Sequence, residues 1–284
     1  MLLYDTRLNC YAGAIQNILL IYNINLRFYL FALDTISKIK RIKLLLYQPN
    51  NGYCYNSDTH FLYSFIIKNL EKFKNIKGEL LDIGSGSGIL GLLVARDNIK
   101  LSLNQCEIQK VFQFLTNLNS KNNKIINKLY EGSFLDINFD KKFDMCVSNP
   151  PFYHSNVVKS ENTILNIARY RDSLPIEDFF AKVYKVLNQD GKFFFCYDAK
   201  QINELLISLT NHRFNIESIQ FVHPNLNKDA SLVMIYAKKS SKSLTKIMPP
   251  LIMFDNNGEF REEINDIYKK SATHSIKVDL NEYN

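Results

Sequence analysis

The sequence predicts an α/β domain whose mostly parallel sheet ends in an antiparallel hairpin. From residue 78 onward, short apolar runs that favour strands alternate with longer runs at helical spacing. Strands separated by helices imply a parallel sheet covered on both faces. Near the carboxyl end, two strand-like runs at 216–222 and 231–237 follow each other across a short loop. Since no helix fits between them, these two strands should pair antiparallel.

The individual elements follow in a regular order. Besides the hairpin, strands are predicted at 79–83, 101–107, 125–130, 143–148 and 193–197. Helices are predicted at 89–95, after the second strand through about residue 119, and at 175–187. Pro175 suits the first turn of that last helix, and 188–191 is a turn pattern. Residues 238–247 are typical of a linker, and the tail contains a short helix at 262–268.

The composition indicates a globular protein with a basic surface. Apolar residues make up 46% of the chain, which is enough for a substantial core. The formal charge is +7, from 35 Lys and Arg against 28 Asp and Glu, a surplus compatible with a nucleic-acid partner. The 5 cysteines form no Cys-x-x-Cys pair, so neither a disulfide framework nor a metal site is predicted. We therefore expect a metal-free protein of the cytoplasm.

The first part of the chain has no clear assignment. Residues 14–33 are apolar but are interrupted by Asn, Gln and Arg, which argues against a membrane-spanning helix and a signal peptide. We treat 1–42 as an extension of unknown role and expect no membrane attachment. The main domain is predicted to span 43–240, and 241–284 to form a tail that packs on or near it.

A glycine-rich turn follows the first predicted strand of the sheet. Its sequence is Asp82-Ile83-Gly84-Ser85-Gly86-Ser87-Gly88. Glycine allows a backbone to approach a ligand closely, and the helix behind the turn points its N–H groups at that ligand. The spacing Gly86-x-Gly88-x-x-Gly91 also satisfies the dinucleotide fingerprint, but that match begins too late after the strand. Glu107 ends the next strand, where a carboxylate accepts hydrogen bonds from ribose hydroxyls.

The most specific motif is Asn149-Pro150-Pro151-Phe152, directly after the fourth strand. Open α/β sheets bind ligands at this edge, and the two prolines restrict the chain and remove two backbone donors. The Asn149 side chain and the Pro150 carbonyl can accept both hydrogens of a planar amine, with Phe152 against its ring. Two such acceptors stabilise positive charge that develops on a weakly nucleophilic nitrogen. The motif therefore predicts an acceptor site for a planar exocyclic amine.

At this point the chain resembles the bacterial tRNA(Val) adenine-N6 methyltransferases. The resemblance covers roughly residues 43 to 268. It is carried by the segments 47–53, 55–58, 80–93, 149–153, 168–174, 222–224 with Lys228, and 249–260 with 267–268. The resemblance implies the class I methyltransferase fold, a Rossmann-like α/β fold with a mostly parallel seven-stranded sheet that ends in an antiparallel hairpin. It implies S-adenosylmethionine as the cofactor and the tRNA adenine 3′ of the anticodon as the substrate.

The resemblance also implies roles for individual residues. Cofactor-binding residues would be Tyr55, Ser57, Asp58, Asp82, Gly84, Gly86, Gly88, Glu107, Ser133 and Phe134. Asn149, Pro150 and Phe152 would be catalytic, and Tyr153, Arg169, Arg171 and Lys228 would contact the nucleic acid. The family usually has an Asp for the cofactor adenine where this chain has Ser133, which is a departure. The sequence is compatible with a monomer and leaves the oligomeric state open.

Three other functions compete with this interpretation. A protein glutamine-N5 methyltransferase uses the same Asn-Pro-Pro-aromatic chemistry on an amide, but 1–42 is short for the helical domain of that family. A non-catalytic nucleotide-binding or RNA-binding module is compatible with Ser133 but not with an intact Asn149 motif. An NAD-dependent oxidoreductase would fit the glycine spacing, but the sequence offers no acid or base for a hydride site.

Overall fold

A computed structural model describes residues 43–50, 54–150 and 175–279. The strands are β1 Leu44–Pro49, β2 Gly78–Ile83, β3 Leu101–Glu107, β4 Asn127–Glu131, β5 Phe143–Ser148, β6 Leu187–Asp198, β7 Phe214–His223, β8 Leu232–Lys239, β9 Lys246–Ile247, β10 Leu251–Ile252 and β11 Thr273–Val278. The helices are α1 Ser57–Leu70, α2 Ile89–Asp97, α3 Lys110–Asn122, α4 Ile176–Val186, α5 Ile202–Asn211 and α6 Glu262–Ser271, with a 3₁₀ turn at Ala199–Gln201.

The central sheet has the strand order β10-β7-β8-β6-β5-β2-β3-β4, with β9 on the outer side of β7. Strands β2 to β6 are parallel, and β8 runs antiparallel to both β6 and β7. The predicted fold class is therefore confirmed, and β2 to β8 correspond to the seven predicted strands. The short strands β9 and β10 extend this sheet to nine within the described ranges, because the segment after β8 folds back along β7.

One local prediction is wrong in detail. The segment 188–191 was expected to be a turn before the fifth strand, but the structure includes it in β6. Asp190 still has a left-handed backbone, with φ +60°, and the register with β5 shifts here. Leu187 pairs with Phe143 before this irregularity, so β6 begins six residues earlier than the predicted start at 193.

The two faces of the sheet carry separate apolar cores. Alternation along β6 shows the division, since Phe193 packs against Phe180 of α4 while Phe194 packs against Phe65 of α1. Cys196 therefore lies on the same face as Phe194, toward α1. This alternation decides which side chains of β6 can reach the end of β5.

Besides β9 and β10, two further elements of the segment 246–278 attach it to the domain. Helix α6 packs against α1 and is one turn longer than the predicted 262–268, ending at Ser271. Strand β11 pairs in parallel with β1 as a separate two-stranded sheet. The predicted extension 1–42 lies outside the described residues. No helix within the described ranges is both long and apolar enough to cross a membrane.

Candidate active site

The glycine-rich turn connects β2 to α2 and lines a cavity at the carboxyl edge of the sheet. Gly84, Gly86 and Gly88 have φ values of +66°, +55° and +86°. Side-chain-bearing residues rarely adopt this left-handed region, so the turn depends on glycine. The resulting bend exposes backbone to the cavity between β2 and β3.

Asp82 lies directly under this turn and is almost fully buried. Its Oδ2 accepts hydrogen bonds from the Gly91 backbone N–H at 2.9 Å and from Gln105 Nε2 at 3.3 Å. A Cβ on Gly91 would lie 2.8 Å from that oxygen, so glycine is required at this position for close packing of α2. Burial raises the pKa of Asp82 to about 7, since the carboxylate loses its hydration.

Glu107 ends β3 on the opposite side of the turn, with 5% of its surface exposed. Its Oε2 accepts the Gly86 N–H at 2.8 Å, and its Oε1 accepts the Gln109 N–H at 2.9 Å. Burial raises the pKa of this carboxyl as well. Each carboxylate oxygen keeps a further lone pair, so Glu107 is fixed in place yet still able to accept from a ligand.

Helix α3 supports the turn through residues that the sequence analysis missed. Thr116 Oγ1 donates to the Gly86 carbonyl at 2.7 Å, and Asn119 Nδ2 donates to the Ser87 carbonyl at 2.8 Å. Both side chains are fully buried. Two polar residues within a helix do not form a recognisable sequence motif. The contacts in the structure are therefore needed to identify this support.

Ser133 and Phe134 follow β4 and form another part of the cavity wall. Ser133 Oγ accepts the Leu135 N–H at 3.3 Å, and Phe134 packs edge-on against Phe179 with ring centroids 5.6 Å apart. Lys182 of α4 holds this segment, since its Nζ donates to the Leu135 carbonyl at 2.6 Å. Phe134 thus belongs to the cavity wall and to the core at the same time.

Asn149 follows β5 and lines the same cavity as Glu107 and the glycine turn. Its Nδ2 donates to Thr59 Oγ1 at 3.2 Å, and its Oδ1 accepts from Cys196 Sγ at 3.1 Å. Pro150 is buried beside it. The other predicted residues of this region, Pro151, Phe152, Tyr153, Arg169 and Arg171, lie outside the described residues.

The remaining predicted site residues are not all placed on the cavity. Tyr55 lines it, and the Tyr55 hydroxyl is 2.7 Å from Ser275 Oγ in β11. Ser57 and Asp58 are not among the lining residues; Ser57 accepts from the Tyr268 hydroxyl at 2.8 Å. Lys228 lies in the exposed loop between β7 and β8, where its carbonyl accepts from His223 Nδ1 at 2.9 Å.

The cavity suits a nucleoside that carries an amino-acid group. It combines a glycine backbone at the end of a strand, a carboxylate that can accept from ribose hydroxyls, and a wall with an aromatic side chain. Within the described ranges, no group of three or more His, Cys, Asp or Glu side chains is placed to hold a metal ion. This fold and this site define a class I methyltransferase that uses S-adenosylmethionine.

Comparison with known proteins then assigns the family. Residues 62–220, more than half of the chain, match the methyltransferase small domain family, and the chain belongs to it. A tRNA1(Val) (adenine(37)-N6)-methyltransferase of Pedobacter heparinus is 25% identical over 55% of this chain and 67% of its own length. The protein of the same name from Dyadobacter fermentans is 22% identical over 67% of this chain and 82% of its own length.

A solved structure agrees on the fold. The crystal structure of a predicted O-methyltransferase, protein Atu636 from Agrobacterium tumefaciens, aligns with a TM-score of 0.58 at 17% identity. The alignment covers 78% of this chain and all of the other. At this identity the likeness concerns the fold alone. The chain is thus an S-adenosylmethionine-dependent methyltransferase of the methyltransferase small domain family.

Proposed function

We propose that this enzyme methylates N6 of an adenine in tRNA, and that its target is the adenine 3′ of the anticodon in tRNA(Val). One observation carries the proposal: the Asn149 side chain stands at the carboxyl end of β5, on the wall of the cavity that also contains Glu107 and the glycine turn. An acceptor for a planar amine thereby lies beside the cofactor site. The names of the relatives from Pedobacter heparinus and Dyadobacter fermentans support the choice of tRNA.

We assign the cofactor to the cavity part by part. The amino-acid end would lie on Asp82 and the turn that contains Gly84, Gly86 and Gly88. Glu107 would accept hydrogen bonds from the ribose hydroxyls. Ser133 and Phe134 would border the adenine, with Phe134 providing an apolar surface. Tyr55 would close the cavity, with Ser57 and Asp58 supporting it from the first turn of α1.

The reaction depends on how the chain holds the target amine. Bound S-adenosylmethionine supplies a methyl group on a sulfonium, so an N–C bond forms as the S–C bond breaks. The adenine N6 lone pair is delocalised into the ring and is a weak nucleophile. Asn149 Oδ1 and the Pro150 carbonyl would accept its two hydrogens and stabilise the positive charge that develops on nitrogen. They would also hold the nitrogen in line with the methyl group. After transfer, the extra proton passes from N6 to solvent water.

The nucleic-acid contacts are proposed for the same edge of the sheet. Strand β7 runs parallel to β6, so the loop that carries Lys228 lies at the edge where Asn149 is found. Tyr153, Arg169 and Arg171 complete the proposed set, with arginine suited to phosphate. A base in the anticodon loop is accessible without opening a duplex, which fits a cavity at an exposed sheet edge.

The test uses the purified full-length chain and S-adenosylmethionine with a labelled methyl group. Unmodified tRNA(Val), the same tRNA with guanosine in place of the target adenosine, other tRNAs and a release-factor protein are offered separately. We expect labelled N6-methyladenosine after nuclease digestion of tRNA(Val), and none from the guanosine variant. Label on the release factor alone would reject the RNA substrate in favour of glutamine methylation, which the comparisons do not favour.

A further inference from the structure

The carboxamide of Asn149 is held from two sides by residues outside its own motif. Thr59, in the first turn of α1, accepts from Nδ2 at 3.2 Å, and Cys196 of β6 donates to Oδ1 at 3.1 Å. Thr59 is 3% exposed and Cys196 is fully buried. The two partners approach opposite ends of one planar group, so together they define its orientation.

Orientation matters because the two ends of an amide have opposite hydrogen-bonding character. The N6 amine of adenine donates, so it requires Oδ1 rather than Nδ2. If the amide of Asn149 rotated by half a turn, Nδ2 would face the amine and two donors would oppose each other. The rotated amide would also place Nδ2 against the Cys196 sulfur, a weak acceptor, in place of the Thr59 oxygen.

We propose that Thr59 is a positioning residue for methyl transfer, which keeps Oδ1 of Asn149 directed at the target amine. The inference rests on the proposed function of Asn149 as the amine acceptor. Thr59 itself would not touch the reacting atoms in this role. It acts by accepting the Nδ2 hydrogen bond, so that the carboxamide is held at both ends, by Thr59 at Nδ2 and by Cys196 at Oδ1.

Thr59 is suited to this role because its position does not depend on β5. Helix α1 is anchored at its first turn by the Tyr268 hydroxyl on Ser57, at 2.8 Å, and further along by Phe65 against Phe194 of β6, with ring centroids 6.3 Å apart. Thr59 lies between these two anchors and cannot follow a rotating amide. Burial holds the pKa of the Cys196 thiol well above its ordinary value, so the second partner stays protonated and donates.

The test compares two substitutions of Thr59 in the full-length enzyme. Thr59→Val removes the hydroxyl and keeps the shape, whereas Thr59→Ser keeps the hydroxyl. We expect Thr59→Val to lower the single-turnover methylation rate on tRNA(Val) by roughly five- to tenfold, the effect of one lost hydrogen bond. Thr59→Ser should stay within about twofold, and the Kd of S-adenosylmethionine should be unchanged in both. Thr210→Val deletes a helical hydroxyl at an exposed position of α5 and serves as the control.

A second measurement separates positioning from a general structural role. If Thr59 acts through Asn149, then Thr59→Val should cause no further loss in an Asn149→Ala background. Equal losses in both backgrounds, or equal losses for Thr59→Val and Thr59→Ser, would overturn the proposal. If Thr59→Val folds poorly, Thr59→Ala replaces it in the same double-mutant cycle with Asn149→Ala. A wild-type enzyme that does not methylate tRNA would instead refute the proposed function, a result visible before any variant is made.

Discussion

The cofactor side and the target side of the cavity are built in different ways. On the cofactor side, the contacts join residues close in the chain: Gly91 to Asp82 over 9 positions, Gly86 to Glu107 over 21 and Asn119 to Ser87 over 32. On the target side, Asn149 contacts Thr59 across 90 positions, and the Tyr268 hydroxyl reaches Ser57 across 211. Apart from Tyr55 and the first turn of α1, the cofactor side is thus built from one stretch of the chain, whereas the target side is assembled from three distant segments.

This difference separates two kinds of functional effect. Substitutions within 82–134 should change cofactor affinity, since the polar groups there hold the turn and its carboxylate. Substitutions of Thr59 in α1 and of Tyr268 in the tail should change the rate of transfer, since they act on Asn149 through α1.

The largest expected effect is that of Asn149→Ala. Without the amide oxygen, one of two acceptors for the developing charge is lost, and turnover should fall by a factor on the order of a hundred or more. The Kd of S-adenosylmethionine, measured by calorimetry, should change little. Asn256→Ala, at an exposed position of the tail, is the control. A hundredfold higher Kd of S-adenosylmethionine with normal turnover would show that Asn149 acts on the cofactor side instead.

The next effect is that of Glu107→Gln. The new amide would direct a donor at the Gly86 or Gln109 N–H, and the charged acceptor would be gone. Hydrogen bonds to charged groups contribute about 1.5–3 kcal/mol, so the Kd of the cofactor should rise by roughly ten- to a hundredfold.

The matched control is Glu131→Gln. Glu131 pairs with Glu107 across β3 and β4 but is exposed to solvent. Its substitution should leave the Kd unchanged. At saturating cofactor, turnover of Glu107→Gln should recover to within a few-fold. A persistent loss of turnover would show that Glu107 also acts on the target side.

The same division decides what the sequence could predict. The seven central strands and the glycine turn follow from local patterns, because each needs only neighbouring residues to form. Helix α1 was missed, since it is buried around much of its circumference and shows little polar–apolar contrast. The pairing of β1 with β11 was missed for another reason: the paired residues lie more than 200 positions apart, so no local pattern connects the two strands.

The candidate site shows this limit in particular residues. Asn149 was predicted because two prolines mark it, but its partners Thr59 and Cys196 carry no such mark. A buried Thr and a buried Cys are ordinary core residues in any strand or helix. Parallel pairing of β5 with β6 brings Cys196 beside Asn149, and helix α1 brings Thr59 to the other end of the amide.

A third prediction concerns pH and the cofactor side. Burial raises the pKa of Asp82 from 3.8 to about 7, so the folded protein keeps a proton that the unfolded chain releases. The free energy of unfolding should therefore fall as pH rises from about 4 to about 7 and stay level above that range. For the cofactor-free enzyme we expect a decrease on the order of 2–3 kcal/mol between about pH 5 and pH 7.5 from this group.

Urea unfolding at the two pH values measures this decrease directly. Asp82→Asn should remove this pH dependence of the free energy of unfolding, because the amide does not titrate. Asp255→Asn, in the tail, is the control and should leave the pH dependence in place. If both variants keep the full pH dependence, the buried carboxyl is ionised in the folded state across the whole range. The turn would then be held by a charged Asp82, contrary to the expected effect of burial.

The smallest effect tests the tail. Tyr268→Phe removes the hydroxyl that donates to Ser57 at 2.8 Å and leaves the ring against His60, with centroids 5.2 Å apart. The loss of one hydrogen bond at the start of α1 should lower the free energy of unfolding by about 1 kcal/mol and the methylation rate by roughly two- to threefold. Tyr184→Phe, on the opposite face of the sheet beside Phe214, is the matched control. A rate loss with an unchanged cofactor Kd would show that the tail acts on the target side through α1. A higher Kd of S-adenosylmethionine with an unchanged transfer rate would mean that the tail acts through the neighbouring Tyr55. The cofactor side of the cavity would then depend on the tail as well.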